Sequence, residues 1–250
     1  MTAPRKLDVV LTVVFLLVGG FLCPALFAQE KCSAEEKLQL SPEQIRLAAT
    51  QLGARGETAG HVYLFDTDKL DLFSQGIVVR LRQGTSNDLM VKLRPPAGKR
   101  FFDPGEKGSK YKCEMDWSAG HAQPSYSITS PYAGEQPPKK GSEVLDLLTP
   151  AQKKLIQEAR VSVDWSRVHR IAEIQSTQWQ ITDQGGFRKL TLELWKWPSG
   201  QILELSTKTP AGRAATAYTA LQQLVRAKGL APTDNQRLKT TVVLQSVTSK

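Results

Sequence analysis

Apolar and charged residues alternate along three short segments of this chain. In Ile77–Arg82 the side-chain period of a strand puts Arg80 and Arg82 on one face and Val79 and Leu81 on the other. Leu89–Arg94 repeats the pattern, with Lys92 and Arg94 against Val91 and Leu93. In Lys110–Trp117 the charged positions are Lys112, Glu114 and Asp116, and Tyr111, Cys113, Met115 and Trp117 oppose them. Such alternation has two readings. One is a half-buried antiparallel sheet whose charged face meets water. The other is a sheet curled so that the charged face lines a tunnel and the apolar face packs outward against helices. Arginine, planar and always ionised, suits a phosphate-lined interior of that kind.

The same period marks further strands at Ser33–Leu40, Ile171–Ile181, Arg188–Trp197, Gln201–Lys208 and Leu238–Gln245, for a total of eight. Pro198-Ser199-Gly200 joins two of them as a hairpin turn, and Tyr63–Thr67 is a further extended stretch. Helix signals lie between the strands. Ser41 and Pro42 open one helix, with Gln44 completing a capping box and Gly53 stopping it. Others are expected over Ser142–Leu148, from Thr149-Pro150-Ala151-Gln152 to near Arg160, and from Thr209-Pro210 to Gly229. In the last of these, Ala217, Leu221, Leu224 and Val225 form an apolar stripe. Residues 118–141, with Pro124, Pro131, Pro137 and Pro138, read as a surface loop.

Composition narrows the class. A chain that is 40% hydrophobic and 23% charged is not disordered throughout. Arg5 and Lys6, the apolar run Val9–Phe21 and the small residues Ala25 and Ala28 have the grammar of a secretory signal peptide. Residues 1–28 are therefore expected to be removed, leaving 29–250 as one domain that is periplasmic or secreted. No stable membrane span is expected after cleavage, because the apolar run falls short of the roughly 20 residues a span needs. Loss of Arg5, Lys6 and Asp8 takes the net charge from +9 to +8, which suits an anionic partner. Zinc-type Cys/His spacing and RNA-binding strands are both missing, so nucleic acid is not the expected partner. His61, His121 and His169 form no cluster in the sequence. Cys32 and Cys113 both have the outward parity, and a disulfide and two buried thiols both remain open.

Tyr63-Leu64-Phe65-Asp66-Thr67, Leu70, Leu72, Gly76, Arg80-Leu81-Arg82 and Val91-Lys92-Leu93 resemble, in order and spacing, the CYTH family, also called triphosphate tunnel metalloenzymes. The resemblance implies an α+β fold: a closed, eight-stranded antiparallel β-barrel forming a tunnel, with helices packed outside. It implies that Lys37, Arg80, Arg82 and Lys92 surround a reacting triphosphate, with Arg94, Lys208 and Lys239 as further ligand-binding cations. Glu35, Glu114, Glu193 and Glu204 would hold Mg2+ or Mn2+. The chain departs from the family pattern in three places. Ser33 replaces the first glutamate of a Glu-x-Glu-x-Lys signature, Ser206 replaces the second glutamate of a later strand, and no arginine closely precedes Trp179, Arg170 being off position. Three functions are weighed accordingly: a binder of a phosphate-rich anion with residual phosphoanhydride hydrolysis, an active metal-dependent triphosphatase, and a structural barrel whose inward charges pair with one another.

Overall fold

The computed structural model describes residues 32–95, 111–119 and 121–248. The leader expected at 1–28 lies outside them, as does Lys110. Nine strands close into a barrel in the order β1-β5-β6-β4-β3-β2-β7-β8-β9. They are β1 (Ser33–Leu40), β2 (Arg55–Asp66), β3 (Ile77–Gln83), β4 (Asp88–Leu93), β5 (Tyr111–Ser118), β6 (His121–Pro131), β7 (His169–Gln184), β8 (Phe187–Trp197) and β9 (Gly200–Pro210). The expectation of eight antiparallel strands is corrected in both respects: there are nine, and β1 pairs with β5 in parallel.

Three misread segments account for the difference. Residues 121–131 form β6 rather than part of a loop. Its Ser125, Ser127 and Thr129 alternate with Tyr126 and Ile128, but the two prolines hid that period. Pro124 lies beyond the last β4 partner, where Leu93 faces Tyr126, so no ladder bond to β4 is lost. At the other end of the chain, the β-branched run Thr240–Val243 reads as strand, yet Lys239–Thr248 is a helix. The barrel is already closed by the pairing of β1 with β5 and β9, and no sheet edge is left for another strand. The third difference is β2, whose polar half Arg55–Gly60 has no apolar period to reveal it.

The helices are α1 (Ile45–Gln51), α2 (Asp71–Ser74), α3 (Gly141–Leu147), α4 (Pro150–Glu158), α5 (Ala214–Ala227) and α6 (Lys239–Thr248). At the start of α4 the Thr149–Gln152 capping box forms as its sequence implies. The Thr149 amide donates to Gln152 Oε1 (2.9 Å) and the Gln152 amide donates to Thr149 Oγ1 (3.2 Å). Two outer cores bury the apolar strand faces. Val79, Leu81, Leu89, Val91 and Leu93 pack against Val144, Leu148, Leu155 and Ile156 of the α3–α4 region. Leu38, Leu40, Leu192 and Leu205 pack against Leu221, Leu224 and Val225 of α5. The inward face is charged, as the tunnel reading requires. A third cluster lies inside the barrel, where Val243 and Leu244 of α6 meet Val62, Leu64, Ile174 and Trp195 and fill one side of the lower end. None of the described helices is long and apolar enough to cross a membrane.

Local motifs serve this frame. Asp66 is 1% exposed and accepts from the amides of Thr67 (2.8 Å), Leu72 (2.9 Å) and Phe73 (2.9 Å), so it caps α2 and fixes the corner between β2 and β3. Gly76 has φ 79°, and a Cβ there would lie 2.2 Å from the Arg94 carbonyl oxygen. Its own carbonyl accepts from the Arg94 amide at 2.7 Å, so this glycine sets the position of Arg94.

Glu36 points outward and is fully buried. Its Oε1 accepts from Thr209 Oγ1 at 2.5 Å, and its Oε2 has no partner among the described residues. Burial raises its pKa. Glu36→Gln is expected to stabilise the protein at pH 7 by about 1 kcal/mol. The gain should vanish below about pH 4, where the carboxyl is protonated in folded and unfolded chains alike. Denaturant titrations at the two pH values test both statements, and an equal effect at both would rule out an ionised Glu36.

Candidate functional site

The inward side chains of β1, β3, β4, β5, β8 and β9 enclose a cavity of about 270 Å³. Among the described residues, eight cations line it (Lys37, Arg80, Arg82, Lys92, Arg94, Lys112, Lys208 and Lys239) together with Glu35, Glu114, Glu193 and Glu204. Every cation and carboxylate expected from the sequence therefore reaches this one cavity. Asp88 and Asp116 stand behind the lining and, among the described residues, reduce the excess positive charge from four to two.

The carboxylates form two groups. Glu35, Glu114 and Asp116 bring ligand oxygens within 4.8 Å of one another. The parallel seam makes this group, because Glu35 lies opposite Asp116 and Ser33 opposite Glu114. The acid missing at Ser33 thus has neighbours supplied by β5. Glu193 and Glu204 lie opposite each other on β8 and β9 and share Lys239, which contacts Glu193 and lies 2.9 Å from Glu204. The four glutamates expected to bind one metal are thereby split two and two, and Asp116 joins the first pair. Asp116 has the same parity as Lys112 and Glu114, which is the one sequence signal that could have marked it.

Asp116 is the common counter-ion of the lower tunnel. Its carboxylate, with no exposed side-chain surface, meets Lys37, Lys92 Nζ at 3.5 Å and Arg94 Nε at 3.0 Å. Burial opposes its ionisation, but these three cations hold its pKa well below the carboxylate range. Glu35 is likewise opposed by burial and overcome by Lys37, Lys208 and Lys92, to a pKa of about 2. Lys37 lies 2.9 Å from Glu35 and has a raised pKa, since Glu35 and Asp116 outweigh its burial. Lys92 fares differently: burial pushes its pKa to about 8, and Lys37 and Arg94 add to the repulsion despite Asp116. Lys208 pairs with Glu114 at the mouth.

On the opposite wall, Glu193 Oε1 accepts from Ser176 Oγ and Trp195 Nε1, each at 2.8 Å. Burial opposes its charge, and Lys239 together with these bonds brings its pKa to about 2. Lys239 Nζ also lies 4.6 Å from the centre of the Trp195 ring. Lys239 was expected on a final strand; it enters the tunnel from the first turn of α6. Trp195 is a site residue the sequence reading missed. Trp179 lies away from the cavity and donates to Glu57 at 3.1 Å, while Gln178 lines it where the family pattern would have arginine nearby. Arg170 lies on the outer face, 5.3 Å from the Tyr63 ring centre. Cys32 and Cys113 are joined as a disulfide, which resolves the two options left open by the sequence.

Arg80 stands apart from all of these. Strand register pairs Arg82 with Asp88, whose carboxylate it binds at 2.6–3.2 Å. The same register sets Arg80 between Leu64 on β2 and Met90 on β4. Among the described residues no ion pair involves Arg80, and its buried Nε has no partner. Burial and then Arg82 push its pKa down to about 10 against the weaker pull of Asp88, Glu193 and Glu35, which leaves it charged at neutral pH.

A closed barrel with an inward ring of lysines and arginines is a triphosphate-tunnel fold of the CYTH type. Comparison with solved structures supports this assignment. One match is HpAC1 from Hippeastrum, described as a candidate adenylyl cyclase with a dominant triphosphatase activity. It is 19% identical, with a TM-score of 0.60 over 85% of this chain and 94% of that one. A candidate adenylate cyclase from Bacillus halodurans is 14% identical, with a TM-score of 0.56 over 84% of this chain and 96% of that one. Neither a family model nor a curated protein sequence matches the chain.

Proposed function

We propose that this protein binds an inorganic, phosphate-rich anion in its tunnel, with tripolyphosphate or a short polyphosphate as the ligand class. The observation that carries this reading is Arg80, a charged guanidinium held inside the cavity with no carboxylate in direct contact among the described residues, Asp88, Glu193 and Glu35 acting on it only from a distance. A barrel built only to satisfy its own charges would pair it, as it pairs Arg82, because a desolvated charge without a contacting partner is destabilising. A small anion without a base fits this cavity, which lies near the lower end of the roughly 300–1,000 Å³ usual for organic-ligand pockets and has no aromatic residue among its described lining residues.

A second reading, metal-dependent phosphoanhydride hydrolysis, is favoured by the cluster of Glu35, Glu114 and Asp116. Three clustered carboxylates suit a hard, oxygen-seeking cation such as Mg2+ or Mn2+. Such an ion supplies Lewis-acid activation of a phosphoryl group or water. The chain's own contribution is positional: Arg80 and Arg94 hold phosphate oxygens, Lys37 and Lys92 offset the developing charge, and the apolar plug of α6 limits water entry from one side. Ser33 and Ser206 reduce the number of carboxylates, which weights binding over turnover. We place the protein outside the cytoplasm, on the grounds of the leader-like residues 1–28 and the Cys32–Cys113 disulfide.

Calorimetry with tripolyphosphate, with and without Mn2+, tests the proposal. Micromolar binding that weakens steeply with salt is expected, together with slow phosphate release that chelator abolishes. Absence of tripolyphosphate binding under both conditions would overturn it.

A further inference from the structure

The seam between β1 and β5 has the shortest ladder in the barrel. Four registered pairs join the strands, from Ser33 opposite Glu114 to Glu36 opposite Trp117. Each of these strands holds its other neighbour over eight pairs. The seam is also parallel, the slightly weaker arrangement per residue. Yet the candidate site is assembled across it: Lys37 meets Asp116, and Glu35 meets Glu114 and Asp116, only if β1 and β5 stay in register. The disulfide between Cys32 and Cys113 sits immediately beyond the Ser33–Glu114 pair, with Cα atoms 4.9 Å apart and a sequence separation of 81. Both cysteines are partly exposed, within reach of a soluble dithiol.

We propose that this disulfide is a redox latch on the tunnel. Intact, it holds the seam in the register that gathers Glu35, Lys37, Glu114 and Asp116; once it is reduced, the seam loosens and the site weakens. The effect on affinity rests on the phosphate-binding reading above, while the effect on the seam does not. The co-reactant is a dithiol. One of its thiolates attacks the sulfur of Cys32 or Cys113, breaking the S–S bond to give a mixed disulfide, and the displaced cysteine thiolate takes up a proton. The second thiolate of the reductant then attacks the mixed disulfide, leaving two cysteine thiols and the reductant oxidised by two electrons. The barrel survives this, because β1 remains bonded to β9 and packed under α5, and β5 remains bonded to β6.

The test follows backbone amide exchange and tripolyphosphate binding in the oxidised chain, in the dithiothreitol-reduced chain and in the Cys32→Ser/Cys113→Ser variant. Reduction is expected to speed exchange in Glu35–Lys37 and Glu114–Asp116 while β3 and β4 keep their protection. Tripolyphosphate affinity should fall about tenfold, the size of effect that loss of supporting structure has on comparable sites, and should return on reoxidation. The double variant should match the reduced chain and ignore dithiothreitol. Unchanged seam exchange, or loss of protection throughout the barrel, would overturn the latch. Seam-limited loosening with no tripolyphosphate binding by the oxidised chain supports the latch and overturns the phosphate reading instead.

Discussion

Arg80→Met is expected to reduce tripolyphosphate affinity by about thirty- to a hundredfold, equivalent to roughly 2–3 kcal/mol for a charge-assisted contact. The same substitution is expected to leave the fold intact and raise its stability by up to about 1 kcal/mol, because an apolar chain of similar length replaces a desolvated cation with no partner. These opposite signs make the experiment decisive. In a barrel that only satisfies itself, Arg80 would contribute to stability and nothing would be lost in binding. In a binding tunnel it is kept charged at a cost that the ligand offsets. Arg82→Met is the control, since Arg82 is already neutralised by Asp88 on a partly exposed rim; its effect on affinity should be several-fold smaller. Calorimetric titration and thermal melting of the two variants measure both quantities. Equal affinities for wild type and Arg80→Met would remove the main support for the proposed function.

The contrast between these two arginines shows how far the sequence could be read. Their shared parity, with that of Lys92 and Arg94, marked a charged sheet face from the alternation; the family resemblance made that face a tunnel lining and added Lys37 and Lys208, and all of them line the cavity. Which arginine is free depends on register. Arg82 falls opposite Asp88 and Arg80 opposite Met90, and register is set by turn geometry and by burial of the outer face rather than by either residue. The acidic groups were harder to read for a related reason. Glu35 and Asp116 are neighbours through a parallel pairing between distant strands, so chain order gives no hint of it. Glu193 and Glu204 share parity with their strands' inward faces and were placed correctly there, but their partner Lys239 arrives on a helix. Tertiary context overrode local preference in that segment: a β-branched run became helical because the closed sheet had no edge to give it. In β6 the prolines that mark a loop are tolerated where pairing to β4 stops. Strands with uninterrupted alternation, β3 and β4 above all, needed no such context.

The largest loss of stability is expected from Asp116→Asn. The substitution keeps the shape of the side chain but leaves Lys37, Lys92 and Arg94 facing one another in the lower tunnel without their common anion. Breaking a buried ion pair from one side costs about 3–5 kcal/mol, which for a domain of this size lowers the melting temperature by about 6–15 °C. Asp88→Asn should cost less, because the cation it would leave behind, Arg82, is partly exposed to water. The pH dependence gives an independent check. A carboxylate whose folded pKa is depressed contributes stability that is present above its unfolded pKa, about 3.9 for aspartate, and is lost as pH falls through the folded value. Asp116, Glu35 and Glu193 are all depressed, the two glutamates to about 2. Wild-type stability should therefore hold from neutrality to about pH 5 and decline from there toward pH 2. Asp116→Asn lacks one contributor to that decline, so the gap between variant and wild type should be constant above about pH 5 and narrow steadily below it. Denaturant unfolding from pH 7 to pH 2 measures the gap. A gap of constant width across this range would mean that the Asp116 carboxylate does not carry the charge that holds the three cations in place.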